Sequence, residues 1–234
     1  LAQALGGQGQ VIGIAGEPGL GKSRLLAEFV DSLRGRPVTY CEGHCLAYGS
    51  ATPYLPVRDL LRQLWGLPDA APATAITATV QRRLREAGVA SEDEALLLLQ
   101  LLDVPVDLAP FAEFDLPMRQ ARTFALLWQV IRQASRRQPL LLAVENLHWT
   151  DPTSEAWLAM LVERLGDTPV LLLATYRPGY QPPWIGHSAM TQIALPRLSP
   201  HDSRVVRQSV PRAAQLPVPV QEAVVAKAAG NPFF

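Results

Sequence analysis

Residues 11 to 23 read Val11-Ile-Gly-Ile-Ala-Gly16-Glu-Pro-Gly-Leu-Gly21-Lys22-Ser23, a β-branched apolar run that passes directly into a glycine-rich turn. The run predicts a buried parallel strand over Val11 to Ala15, and Leu25, Leu26 and Phe29 predict a helix from Lys22 to Leu33 with one apolar face. Between them lies the spacing G-x-x-x-x-G-K-S, a Walker A phosphate loop. A polyphosphate carries several negative charges, and backbone N–H groups surround it only where no side chain blocks the approach. Gly16, Gly19 and Gly21 leave that room, with Glu17, Pro18 and Leu20 completing the loop. Lys22 brings a positive charge to the β- and γ-phosphates and Ser23 offers a hydroxyl to Mg²⁺. The helix opening at Lys22-Ser23-Arg24 turns its positive end toward the anion.

Upstream, Leu1, Ala4 and Leu5 give residues 1 to 8 the character of a helix tail stopped at Gly6-Gly7, as in an excerpt that begins mid-element. Downstream, Gly35-Arg36-Pro37 predicts a turn and Val38 to Cys41 a second strand. Pro53, Pro56, Pro68, Pro72, Pro105, Pro110 and Pro117 then divide a long stretch into helices near 57–66, 76–87, 92–103 and 118–137. This is a helical insertion over about 50–137, since an ordinary crossover is far shorter. Leu96 to Leu99, Leu101 and Leu102 read as core, whereas Arg82, Arg83, Arg85, Arg132, Arg136 and Arg137 read as solvated helix faces.

The second informative stretch is Pro139 to Asn146, an apolar strand ending on an acid, as a Walker B strand does. Glu145 fills the slot that holds Mg²⁺, usually through water. Asn146 stands where many such ATPases place a second acid for the attacking water, and an amide positions water without taking its proton. Slow hydrolysis with nucleotide binding intact is the expectation. In Leu147-His-Trp-Thr-Asp151-Pro152, Asp151 reads as a helix N-cap with Pro152 at the first position, and His148 and Trp149 read as packing before nucleotide contact. Pro169 to Pro178 predicts the next parallel strand, with Arg177 at its polar end placed to report the γ-phosphate. Thr191 to Leu195 predicts a final strand, helices follow near 200–209 and 217–229, and the sequence stops in Gly230-Asn-Pro-Phe-Phe234.

Composition bounds the rest. With 234 residues and 48% hydrophobic content, the chain suits one α/β core and part of a second unit. Its 21 basic and 21 acidic residues cancel, so no global field recruits nucleic acid or an anionic membrane. The sequence contains neither a signal peptide pattern nor a spanning helix, and Cys41 and Cys45 make no disulfide framework; a reducing, cytoplasmic setting is expected. Cys41-Glu-Gly-His44-Cys45 offers three potential metal ligands where a structural zinc site wants four, so strand-end packing is the reading.

GEPGLGKSRLL, LLLAVENLHWTDPTS, LLLATYRPGY and the terminal AGNPFF, in this order and spacing, resemble the signal-transduction ATPases with numerous domains, the STAND group. More narrowly, they are similar to the ATPase module found beside bacterial class III adenylate/guanylate cyclase, serine/threonine kinase or LuxR-type DNA-binding domains. Gly43 to Tyr54 is also similar to that group's segment after the second strand. The resemblance implies an additional-strand P-loop core of order 5-1-4-3-2 over residues 1–195 and a helical lid beginning at 196–234. It implies ATP or ADP with Mg²⁺ as ligands, an attached effector domain as partner, nucleotide-dependent homo-oligomers, and no direct contact with nucleic acid or membrane. Lys22 and Ser23 take the phosphate and Mg²⁺ roles, Glu145 the metal-side acid, Arg177 the sensor arginine and Pro232 the lid proline that packs on the nucleotide. Two departures are Asn146 in place of an acid and the lack of the group's adenine-holding V-G-R-E segment, which would precede Leu1. A non-hydrolysing nucleotide scaffold and a P-loop kinase acting on a small acceptor are the alternatives; a GTPase is disfavoured because N-K-x-D is absent.

Overall fold

The computed structural model describes residues 1–47, 52–89, 91–208, 220, 223 and 226–232. A short helix α1 (Ala2–Leu5) ends at Gly6-Gly7, as its composition requires. The apolar run then forms β1 (Gln10–Ala15), and the helix after the glycine loop is α2 (Lys22–Asp31). The next elements are β2 (Thr39–His44), α3 (Leu55–Trp65), α4 (Ala73–Glu86), α5 (Glu92–Leu101) and α6 (Leu116–Arg137). They are followed by β3 (Leu140–Glu145), α7 (Pro152–Arg164), β4 (Val170–Tyr176), β5 (Met190–Ala194) and α8 (Pro200–Gln208).

The strands form one five-stranded sheet in the order β2-β3-β4-β1-β5, every pair parallel. Read from the other edge this is the expected 5-1-4-3-2. β3 and β4 expose no residue on either face, which is why both are continuous aliphatic runs. Side chains alternate across the sheet. On one face Leu141, Ala143, Leu171 and Leu173 pack with Leu26 and Phe29 of α2. On the other, Leu140, Leu142, Val144, Leu172 and Ala174 join a larger core with α3, α6 and α7. Within it Leu97, Leu98 and Leu99 are buried, in keeping with their reading as core rather than a partner stripe.

Element edges differ from the sequence reading in physically traceable ways. β2 runs on through Glu42-Gly43-His44 instead of ending at Cys41, because its Cα register with β3 continues to His44 opposite Glu145. Gly43 admits this extension: a Cβ there would stand 2.4 Å from the Pro56 carbonyl oxygen of α3. α3 starts at Leu55, with Pro56 in its first turn, and α6 starts at Leu116, where the Asp115 carboxylate accepts from Met118 N–H at 2.9 Å. Short 3₁₀ turns at Ala109–Phe111 and Leu147–Trp149 have no periodic signature and were not expected. Arg82, Arg83 and Arg137 are less independent than solvated faces, since all three meet Glu86, the first two within α4 and Arg137 across from α6. The helix expected over 217–229 lies largely outside the described residues, as do Phe233 and Phe234.

Asp151 caps α7 from a buried position, its Oδ1 accepting from Thr153 N–H at 3.1 Å, Ser154 N–H at 2.9 Å and Tyr54 N–H at 3.3 Å. It therefore closes a helix and also pins the start of α3. Asp151→Ala is expected to cost about 1–2 kcal/mol in urea denaturation, and Asp151→Asn markedly less because the amide oxygen still accepts.

Candidate nucleotide-binding site

The carboxyl ends of β1, β3 and β4 converge on the glycine loop. Gly19 and Gly21 sit at φ 82° and 87°, left-handed values that a side chain strains and glycine adopts freely. Gly21 is also the N-cap of α2 and supplies no side-chain acceptor to its first turn. Gly16 is packed close: a Cβ would lie 3.2 Å from Leu195 Cβ. Lys22 folds back over this cradle, its Nζ donating to the carbonyls of Gly16 at 2.8 Å and Glu17 at 3.1 Å. Burial first, then the Arg177 guanidinium, hold its ammonium below the ordinary lysine value, while Glu17 and Glu145 pull the other way.

Alternation decides what reaches α2. Glu145 follows Leu141 and Ala143 on the α2 face, so its carboxylate meets the first turn of that helix and accepts a hydrogen bond from Ser23 Oγ, 122 residues away. Glu145 is only 8% exposed. Burial raises its pKa above the ordinary carboxylate value, the Ser23 hydrogen bond opposes this, and contact with Glu42 adds to it. A hydroxyl and a carboxylate side by side are hard oxygen donors, a set that fits Mg²⁺.

Arg177 stands at the end of β4 with its guanidinium 4.9 Å from the centre of the Trp149 ring. His148 packs against Trp149, ring centres 4.6 Å apart, and both of its ring nitrogens are shielded without a hydrogen-bond partner. Burial, Arg177 and Lys22 together lower its pKa, so the ring stays neutral. Asn146 takes a left-handed backbone at φ 58° and ψ 41°, and its N–H donates to Thr175 Oγ1 at 3.0 Å. From the far end of the chain, Asn231 Nδ2 donates to the Pro18 carbonyl at 2.9 Å, and Pro232 follows it in the sequence. Of the residues singled out in the sequence, Gly16 to Ser23, Glu145 and Arg177 come together. Arg24 points outward to Glu28.

One residue at the site, Glu42, has no role in the sequence reading. Glu42 is on the α2 face of β2, and its carboxylate lies with those of Glu145 and a His44 ring nitrogen within 4.8 Å of one another. A strand ending at Cys41 hides it, because only pairing that continues to His44 sets Glu42 on this face. His148 packs on Trp149 in line with the sequence reading, and its unpartnered ring nitrogens also lie near the Lys22 and Arg177 cations.

Residues 1–173 match the family model described as the AAA ATPase domain. The chain belongs to this family. A curated protein of Rhizobium meliloti (strain 1021), itself described as uncharacterized, is 30% identical over 206 residues, 86% of this chain and 19% of its own length. This ATPase domain thus spans about a fifth of that relative. Among solved structures, a Signal Transduction ATPase with Numerous Domains that carries a tetratricopeptide repeat sensor, from Pyrococcus horikoshii, covers 99% of this chain. The match takes in 27% of that chain, at 14% identity and a TM-score of 0.44. The Drosophila ORC structure bound to DNA covers 95% of this chain and 47% of its own, at 14% identity and a TM-score of 0.38.

The Cys-x-x-His-Cys spacing of the ATPase domain is split by the sheet: Cys41 and Cys45 join the larger core while His44 points to the α2 face. Both thiols are free and buried, and burial raises each from the ordinary 9.0 to about 12. A raised thiol pKa means that the folded state holds the proton more tightly. The associated stability is intact below pH 9 and is lost as pH rises from there toward about 12. At pH 8 neither thiol is expected to react with a disulfide reagent in the native protein, and both should react once it is unfolded in urea.

Proposed function

We propose that this AAA ATPase domain binds Mg·ATP on the Gly16–Ser23 loop and serves as a STAND-class switch in a multidomain signalling protein, hydrolysing ATP slowly. The observation that carries this reading is the contact between Ser23 Oγ at the start of α2 and the buried Glu145 carboxylate at the end of β3, beside the Lys22 ammonium. No packing requirement calls for a buried lysine and carboxylate at the mouth of a glycine loop; a charged ligand does.

In this reading the backbone N–H groups of Gly19, Gly21 and the first turn of α2 cradle the β-phosphate, and Lys22 releases its loop carbonyls to meet the β- and γ-phosphates. Ser23 and Glu145 hold Mg²⁺, which when bound offsets charge on the phosphate oxygens. Arg177, stacked on Trp149, reports the γ-phosphate, and His148 supplies a neutral donor nearby. Residues 1–195 act as the core and the segment from 196 as the start of a lid, with Pro232 against the nucleotide. The Asn231 bond to Pro18 supports a lid that engages the loop directly. ATP would favour one arrangement of core and lid only by its difference in affinity for the two.

The attached effector is a cyclase, kinase or DNA-binding domain, assembly into nucleotide-dependent homo-oligomers follows the same class, and the setting is cytoplasmic. Two free, buried thiols support a reducing compartment, and among the described residues no helix is long and apolar enough to cross a membrane. A second reading, a scaffold that binds nucleotide without turnover, is favoured by Asn146 alone.

Lys22→Ala should weaken ATP binding about 10- to 100-fold, the loss of one or two charge-assisted hydrogen bonds; titration with a fluorescent ATP analogue measures this. Undiminished affinity in a folded variant would remove the loop assignment. Arg177→Ala should leave ADP affinity nearly unchanged and lower ATP affinity, narrowing the ATP-to-ADP preference in competition binding. An unchanged preference would make Arg177 a surface residue held by Trp149.

A further inference from the structure

The end of β3 carries an amide where the chemistry calls for an acid. The Asn146 side chain has no basic site for the proton of water, and its left-handed backbone, fastened to Thr175, turns the chain out of the strand at that point. A carboxylate nevertheless stands beside Glu145, contributed by the neighbouring strand. β2 pairs with β3 in register, Glu42 opposite Ala143 and His44 opposite Glu145, so Tyr40, Glu42 and His44 share the α2 face with Glu145.

Glu42 is fixed there from behind. β2 is an edge strand, and its free backbone groups at this residue are both taken by one amide of α3: Glu42 N–H donates to Gln63 Oε1 at 2.9 Å, and Gln63 Nε2 donates to Glu42 O at 2.7 Å. The Glu42 side chain is 23% exposed and lies 3.4 Å from His44 Nε2. Its carboxylate therefore opens to solvent on one side and to the Ser23–Glu145 pair on the other. A second carboxylate this close to Glu145 raises the cost of ionising Glu145 and so does not stabilise the fold. The orphaned ring nitrogens of His148, near Lys22 and Arg177, independently mark this end of the sheet as built around a polar ligand.

We propose that Glu42 is the carboxylate that takes the proton of the attacking water during ATP hydrolysis, the role an acid at position 146 would otherwise fill. The inference rests on the phosphate-loop reading above. In the step, the water oxygen forms a bond to the γ-phosphorus, and the bond from that phosphorus to the β,γ-bridging oxygen breaks with its electron pair leaving on ADP. One water proton passes to the Glu42 carboxylate, which returns it to solvent when phosphate departs. Glu145 stays with Ser23 on the metal side and takes no proton from the water. Two acids thus divide the work between adjacent strands.

The test compares wild type, Glu42→Gln and the double variant Glu42→Gln/Asn146→Asp in single-turnover hydrolysis with Mg²⁺, alongside ATP affinity measured with a fluorescent analogue. Glu42→Gln should slow turnover about 100-fold, within the range for a lost general base, while ATP affinity holds within about twofold. The double variant should regain at least about tenfold, because it restores a proton acceptor at the position where many such ATPases carry one. A Glu42→Gln rate equal to wild type overturns the proposal, as does a fall in affinity as large as the fall in rate, or a double variant no faster than Glu42→Gln. Wild type that binds ATP and forms no ADP overturns the role of Glu42 and leaves the binding reading standing. Wild type that binds no ATP removes both.

Discussion

Two aliphatic strands with no exposed face govern this molecule. β3 and β4 are buried on every residue, and a parallel pair of that kind is stable only when helices cover both sides. α2 takes one side through Leu26 and Phe29, and α3, α6 and α7 take the other. A slip of one residue in either strand would exchange the two faces, which keeps the leucines buried but mispacks both cores and, in β3, turns Glu145 away from α2 into the larger apolar core. Register is thereby rigid, and the side chain at the end of each strand has its face chosen by the core behind it. Glu145 faces α2 because Leu141 and Ala143 do.

The same parity sorts charge at the crown of the sheet. On the α2 face, Ser23, Glu145 and Glu42 gather oxygen donors, whereas Lys22, Arg177 and the neutral His148 gather on the loop side. Lys22 and Glu145 are both displaced from their ordinary pKa values chiefly by burial, the lysine downward and the carboxyl upward. Each is made less comfortable as an ion in the free protein, and a polyphosphate with its cation would relieve both at once. The Asn231 bond to Pro18 joins the C-terminal segment to this crown, so whatever reshapes the loop also acts on the residues after β5.

The helices between β2 and β3 give the larger core its volume. They also carry Gln63, whose amide fastens the outer strand at Glu42, so the insertion stabilises the fold and aims one of its side chains. Asp151 works similarly, closing α7 and holding Tyr54 at the entrance to α3. Capping, a local device, becomes a link between segments distant in the chain.

Much of the site was legible in the residues because it is local. The glycine loop needs only its own spacing and the first turn of the following helix, and the strand ending at Glu145 announces itself by continuous burial. Asp151-Pro152 marks a helix start within three residues of backbone. Sequence alone therefore determined the strand-loop-helix unit, the parallel sheet and, through family likeness, the order of its strands. Tertiary structure alone decided where β2 ends, since a polar Glu42-Gly43-His44 tail stays a strand only when β3 and Gln63 satisfy its backbone. It also decided which acids meet, because alternation of side chains becomes a statement about neighbours only after adjacent strands have taken their register.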